Sequence, residues 1–280
     1  MPIRRPRLRN IPLAILALLP LLSSPALGEE PAQVSLLCEV ASLTPGKPVT
    51  LGLRFKLKKG WHIYWRNPGD SGQAPSVKWD LPKGFRAGEI LWPVPKKLPA
   101  SGMLDYGYEG EVLLPVPLEV PKQAKPGQEV LLSAKVKWLV CHEVCLPGEA
   151  TLKLQLPIKD RRMGPAMKTK GVFQKARDSL PLPLPEDRRL TAIRGPKDLK
   201  LSLEGAPAPK TATFFPAQPG LVENAAAQDL KALENGFELT LKRSEGSPQD
   251  VQTLEGVLVL KDEKGPSRAY GISTKLYSLR

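Results

Sequence analysis

The sequence is poor in the groups that most chemistry depends on: its 280 residues include two histidines and three cysteines, and 6% are aromatic. Two histidines leave four-ligand zinc short of candidates. They also disarm a motif, because Gly69-Asp70-Ser71-Gly72 has the form of the nucleophile tetrapeptide of trypsin-like serine proteases. That machinery needs a distant base and an orienting carboxylate. Here His62 stands nine residues before Ser71, and His142 follows it in the wrong chain order, so residues 67–72 read as turn chemistry. No apolar run after residue 28 approaches the roughly 18 to 20 residues that cross a bilayer, which excludes a polytopic membrane enzyme. What the chain does have is 31 Pro, 23 Gly and 41% hydrophobic residues, a globular composition rich in turn formers and long enough for one large or two modest domains.

Arg4, Arg5, Arg7 and Arg9 precede an apolar run of about a dozen residues, 11–22, and then Ser23-Ser24-Pro25-Ala26-Leu27-Gly28. This layout predicts a secretory signal peptide over residues 1–28, with Ala26 and Gly28 at the −3 and −1 positions of cleavage; an uncleaved anchor is the alternative. No Cys follows at the start of the mature chain, which removes the lipoprotein route. The whole chain carries +13, and loss of the four arginines leaves +9. Lysines such as Lys135, Lys137, Lys153 and Lys200 alternate with apolar residues, as on solvated strand faces, and form no nucleic-acid stripe. The chain is expected to be exported and soluble after cleavage, with no nucleic acid among its partners.

Short apolar runs separated by Pro and Gly predict strands at 34–40, 49–57, 77–81, 89–92, 112–120, 130–140 and 151–156. Seven such runs indicate an antiparallel sandwich over residues 29–157. A charged, Pro-rich connector with a helix-like stretch at 171–180 fills 158–189. Further strands at 190–194, 199–203, 211–215, 236–241, 254–260 and 269–276 predict a second, smaller β-sandwich over 190–280. The fold class is therefore all-β.

Cys141 and Cys145 are separated by His142-Glu143-Val144. Four extended steps span about 13 Å, whereas a disulfide needs Cα atoms about 4.4 to 6.8 Å apart, so the chain must turn between them if they pair. A bridge over so short a loop removes little unfolded-state entropy and is a poor staple for a sandwich. It suits a disulfide that opens and closes, and His142 beside Cys141 could favour a thiolate. An inert bridge, two buried thiols, or a copper site made by both thiolates with His142 or His62 remain open readings. Cys38 reads as a half-buried thiol in the first strand, with a mixed disulfide or a dimer link as the sharper alternative.

Three segments, taken together and in order, resemble the N-terminal periplasmic domain of DsbD-type protein-disulfide reductases, most closely the ScsB branch. They are Lys59-Gly60-Trp61-His62-Ile63-Tyr64-Trp65-Arg66-Asn67-Pro68-Gly69-Asp70-Ser71-Gly72, Asp105-Tyr106-Gly107-Tyr108-Glu109-Gly110-Glu111-Val112-Leu113-Leu114-Pro115, and the stretch 138–149 around the two cysteines. Phe214-Phe215-Pro216 and Gly220-Leu221-Val222-Glu223-Asn224-Ala225-Ala226 resemble the second module of that branch. The resemblance implies two immunoglobulin-like sandwiches and an electron relay. A membrane-embedded partner reduces the domain's disulfide, and the dithiol then reduces periplasmic thioredoxin-like proteins. It places the redox pair on Cys141 and Cys145, a capping segment at Leu104, Tyr106 and Tyr108, and Tyr64 along the site. His62 and Asp70 fall in the matched motif without an assigned step.

Members of this family continue into a multi-span electron carrier and a thioredoxin-like domain, whereas this sequence stops at Arg280, so a separate membrane-embedded donor is expected, with a drifted function as the alternative. No cofactor and no metal are expected. Tyr106 and Tyr108, flanked by Gly102, Gly107 and Gly110, are read as a mobile aromatic cover over the sulfurs, and Cys141 as the favoured attacking sulfur. The alternatives are a non-catalytic immunoglobulin-like binding module with a structural disulfide, and a copper-handling protein using the same dithiol.

Overall fold

Residues 30–100, 102–161 and 164–278 are described by the computed structural model; the expected signal peptide lies outside the described residues. In the first half the strands are β1 (Ala32–Cys38), β2 (Val49–Leu57), β3 (His62–Gly69), β4 (Ser76–Asp80), β5 (Arg86–Ala87), β6 (Lys96–Ala100), β7 (Met103–Glu109), β8 (Glu111–Glu119), β9 (Glu129–Cys141) and β10 (Cys145–Pro157). They form two antiparallel sheets, ordered β1-β2-β8-β5 and β10-β9-β3-β7-β6, with β4 beside β9. Alternation decides what lies between them. Leu51, Leu53 and Phe55 of β2, Leu114, Val116 and Leu118 of β8, and Leu132, Ala134 and Val136 of β9 are all fully buried in one core. The intervening Lys135 and Lys137 stay outside and pair with Glu149 at 2.7 and 3.4 Å.

The expected strand at 89–92 does not form. Gly88 and Leu91 donate to the carbonyls of Pro117 and Pro115, but those prolines have no N–H to return, so a ladder cannot close. Conversely, β3, β6 and β7 form where no strand was expected.

The second half holds α1 (Lys170–Asp178) and then β11 (Leu182–Pro183), β12 (Arg189–Arg194), β13 (Asp198–Glu204), β14 (Thr211–Pro216), β15 (Gln228–Leu233), β16 (Gly236–Lys242), β17 (Thr253–Lys261) and β18 (Arg268–Ser278). The strands run in the order β14-β17-β18-β12-β13-β16-β15, with β11 beside β18. β18 bridges two layers, antiparallel to β17 and then parallel to β12 in its last residues. Their own core includes Leu201, Phe214, Phe237, Leu239, Leu254 and Leu258, each fully buried. The connector does more than span: Phe173 and Ala176 of α1 bury against Leu113, Thr169 Oγ1 donates to the Cys38 carbonyl at 3.1 Å, and Arg177 pairs with Glu39 at 3.1 Å. Pro31–Arg280 thereby forms one compact unit. Among the described residues no helix is long and apolar enough to cross a membrane.

Candidate functional site

The hairpin of β9 and β10 brings the two cysteines opposite each other in register, with three loop residues between them. Their Cα atoms are 4.1 Å apart and the sulfurs are bonded. This is the close approach of a non-hydrogen-bonded antiparallel pair, the position where side chains across a ladder come nearest. The two sulfurs differ in surroundings. Cys141 is 1% exposed, whereas Cys145 opens to solvent along with Val144, which is 60% exposed.

β3 builds the floor of the site. His62 is in register with Cys141, and Ile63 with Val140, so His62 and Tyr64 share the outer face with Cys141 while Ile63 and Trp65 enter the core. The Tyr64 hydroxyl donates to Cys141 Sγ at 2.9 Å and lies 3.7 Å from Cys145 Sγ. Burial raises the Tyr64 phenol above its ordinary range, which keeps it a donor. The His62 ring meets the Tyr64 ring edge-on at 5.2 Å. Its Nε2 is buried without a hydrogen-bond partner, 3.9 Å from Asp105 Oδ2. Burial lowers the His62 imidazole, against the upward pull of Asp105 and then Glu109.

Two glycines permit this packing. A Cβ on Gly107 would stand 2.1 Å from the Ile63 carbonyl, so only glycine lets β7 run this close to β3. Gly72, at φ +78°, lies against the Tyr64 ring, where a Cβ would come within 2.0 Å of Cζ. Asp105 is 1% exposed and accepts from the Ser71 amide at 2.9 Å and from its hydroxyl at 2.8 Å. Asp105, Ser71 and Gly72 were not expected as site residues. The Asp105 position could have been found from the alternation of β7, which puts residue 105 on the face opposite Tyr106.

The other expected residues are distributed differently. Leu104, Tyr106 and Tyr108 do not cover the disulfide: all three point into the core from the opposite face of β7. Tyr106 is fully buried beside Phe215 at 5.1 Å, and the Tyr108 hydroxyl donates to the Pro93 carbonyl at 2.7 Å. As residues of a paired strand they cannot act as a mobile cover. Asp70 touches neither sulfur; its carboxylate accepts from the Leu104 amide and from Asn224 Nδ2, both at 2.7 Å. His142 packs on Trp61 with ring centroids 5.8 Å apart. Cys38 is buried and free, its thiol pushed up to about 11 by burial. Among the described residues no cluster of three or more His, Cys, Asp or Glu could hold a metal ion.

An immunoglobulin-like sandwich with a disulfide across an open hairpin end defines the class of protein. Residues 33–157 match the family described as thiol:disulfide interchange protein DsbD, N-terminal. This part of the chain is a DsbD-type N-terminal domain. Over 88% of this chain and 94% of the other, the fold is similar to that of the N-terminal periplasmic domain of ScsB from Proteus mirabilis, at 20% identity and TM-score 0.63. A protein of unknown function from Porphyromonas gingivalis W83 aligns over 88% of this chain and 100% of its own at 14% identity, but its TM-score of 0.24 supports no argument. Comparison with curated proteins finds no match.

Proposed function

We propose that this is a periplasmic thiol:disulfide interchange protein whose Cys141–Cys145 pair carries electrons from a membrane-embedded donor to thioredoxin-like acceptors. The observation that carries the reading is the asymmetry of the pair: an open Cys145 sulfur joined to a buried Cys141 sulfur that accepts a hydrogen bond from Tyr64. Exchange needs one sulfur within a partner's reach and a good leaving group behind it. A donor thiolate attacks Cys145 Sγ, forming a mixed disulfide, and Cys141 Sγ departs as a thiolate stabilised by the Tyr64 hydroxyl. The donor's second thiolate then attacks its own sulfur in the mixed disulfide and releases Cys145; the donor leaves oxidised, and the domain keeps two electrons. In the second half-cycle the Cys145 thiolate attacks an acceptor disulfide and Cys141 resolves the adduct, restoring the bridge. Exposure thus favours Cys145 as the attacking sulfur, in place of Cys141.

The test is a redox titration of the folded chain in glutathione buffers, with free thiols counted by maleimide mass shift in wild type and Cys38→Ser. The expected result is a reversible two-thiol transition confined to Cys141 and Cys145, between about −270 and −120 mV where exchange proteins lie. A bridge still closed well below about −300 mV would support the non-catalytic binding module instead. Copper handling would require Cu(I) to mask both thiols.

A further inference from the structure

The second sandwich reaches the redox site through hydrogen bonds from its own loops. In β3 the chain advances five residues, from Tyr64 to Gly69, while its partner β7 moves two, from Gly107 to Asp105. The extra residues bulge towards the second half, where Asn67 Nδ2 donates to the Pro216 carbonyl at 2.8 Å. Just beyond the bulge, Asp70 is held on both sides. Its amide donates to the Leu104 carbonyl at 3.1 Å, Leu104 N donates to its Oδ2, and Asn224 Nδ2 donates to its Oδ1. Asn224 is 6% exposed, in a loop fastened to the second sandwich by the Glu223 amide on the Lys242 carbonyl at 2.9 Å. The next two residues after Asp70 are Ser71, on Asp105, and Gly72, on the Tyr64 ring.

We propose that Asn224 is a positioning residue for the disulfide: through Asp70 it fixes the 70–72 turn, which holds the Tyr64 ring so that its hydroxyl meets Cys141 Sγ. This assigns the second sandwich a part in the chemistry of the first, and it rests on the exchange reading above. The linkage is contiguous, each step being a hydrogen bond or a van der Waals contact, and the Asp70–Asn224 pair can be inverted without changing net charge. In Asp70→Asn/Asn224→Asp the introduced amide can donate to the introduced carboxylate while its oxygen still accepts from Leu104 N. Asn224→Asp alone sets two carboxylates against each other.

Two rates are read on the full chain from residue 29 onward: reduction of the bridge by dithiothreitol, and alkylation of reduced Cys141 across pH, followed by peptide mass. Asn224→Asp is expected to slow reduction by about threefold or more and to move the alkylation profile to higher pH, and the inverted pair to return both to within about twofold of wild type. In a Tyr64→Phe background Asn224→Asp should have no further effect, because the group it positions is gone. Unchanged rates in folded Asn224→Asp, or an effect undiminished in Tyr64→Phe, would overturn the proposal. If Asn224→Asp does not fold, Asn224→Ala is read by the same two criteria. A wild-type bridge that dithiothreitol cannot open in the folded state would instead sink the exchange reading itself.

Discussion

Burial holds the His62 imidazole below its ordinary titration range, and Asp105 and Glu109 only partly offset that. The sign of the consequence follows by linkage. As pH falls, the unfolded chain takes up a proton near pH 6.5, while the folded chain resists until lower pH. This part of the stability is therefore fully present above about pH 6.5 and is lost as the solution becomes more acidic. The melting temperature should drop between about pH 7.5 and about pH 5.5, and His62→Gln should flatten the drop. An equally steep profile in His62→Gln would place the effect elsewhere. At this scale the sequence named Cys141, Cys145, Tyr64 and His62, which the fold brings together, because a resemblance aligns short motifs directly. It did not disclose Asp105, whose partner Ser71 is 34 residues away and meets it only once β3 and β7 pair.

Strands marked by aliphatic runs or by alternation with lysine were legible, and the two strands that carry the site were not. β2, β8 and β9 were expected within a residue or two of their observed bounds; β9 alternates, whereas β8 buries the five residues from Val112 to Val116 and is marked by its continuous apolar run. In β3, His62, Ile63, Tyr64 and Trp65 are all buried, so no period of two marks it; β7 does alternate Leu104, Tyr106 and Tyr108 with Asp105, Gly107 and Glu109, but its glycines read as hinges of a loop. These two strands carry the site, which is why the cover was misread: without a strand over 103–109, Tyr106 and Tyr108 could not be assigned to the core face. β15 was missed for the opposite reason, since most of its residues are exposed. Gly72 tests how closely element geometry governs chemistry. Gly72→Ala forces both a positive φ and a Cβ against Tyr64. It should cost about 1–3 kcal/mol in denaturant unfolding and also slow bridge reduction. Gly127→Ala, at φ +88° with nothing within 4 Å, should lose stability alone. Equal slowing in both variants would separate the Tyr64 contact from the chemistry.

Over the whole molecule, the two sandwiches share a core. Phe215 and Val257 of the second belong to the buried cluster of the first, and Phe215 stacks edge-on against Tyr106 at 5.1 Å and Trp65 at 6.4 Å. A shared aromatic cluster couples their unfolding more tightly than the polar contacts typical between domains of one chain. The chain carries its own reporter of this coupling. All five tryptophans, Trp61, Trp65, Trp79, Trp92 and Trp138, lie in the first sandwich, so their fluorescence follows that half while far-ultraviolet circular dichroism follows both. Phe215→Ala removes a side chain that the second sandwich contributes, at an expected cost of about 3–5 kcal/mol. In urea the fluorescence and dichroism transitions should coincide in wild type and move together in the variant, because the cavity opens in a core that neither half can close alone. If the dichroism midpoint falls while the tryptophan transition stays in place, the sandwiches unfold independently. The contact at Phe215 would then not stabilise the domain that holds the disulfide, and the polar contacts at Asp70, Asn67 and Arg66 would be left to link the second sandwich to the site.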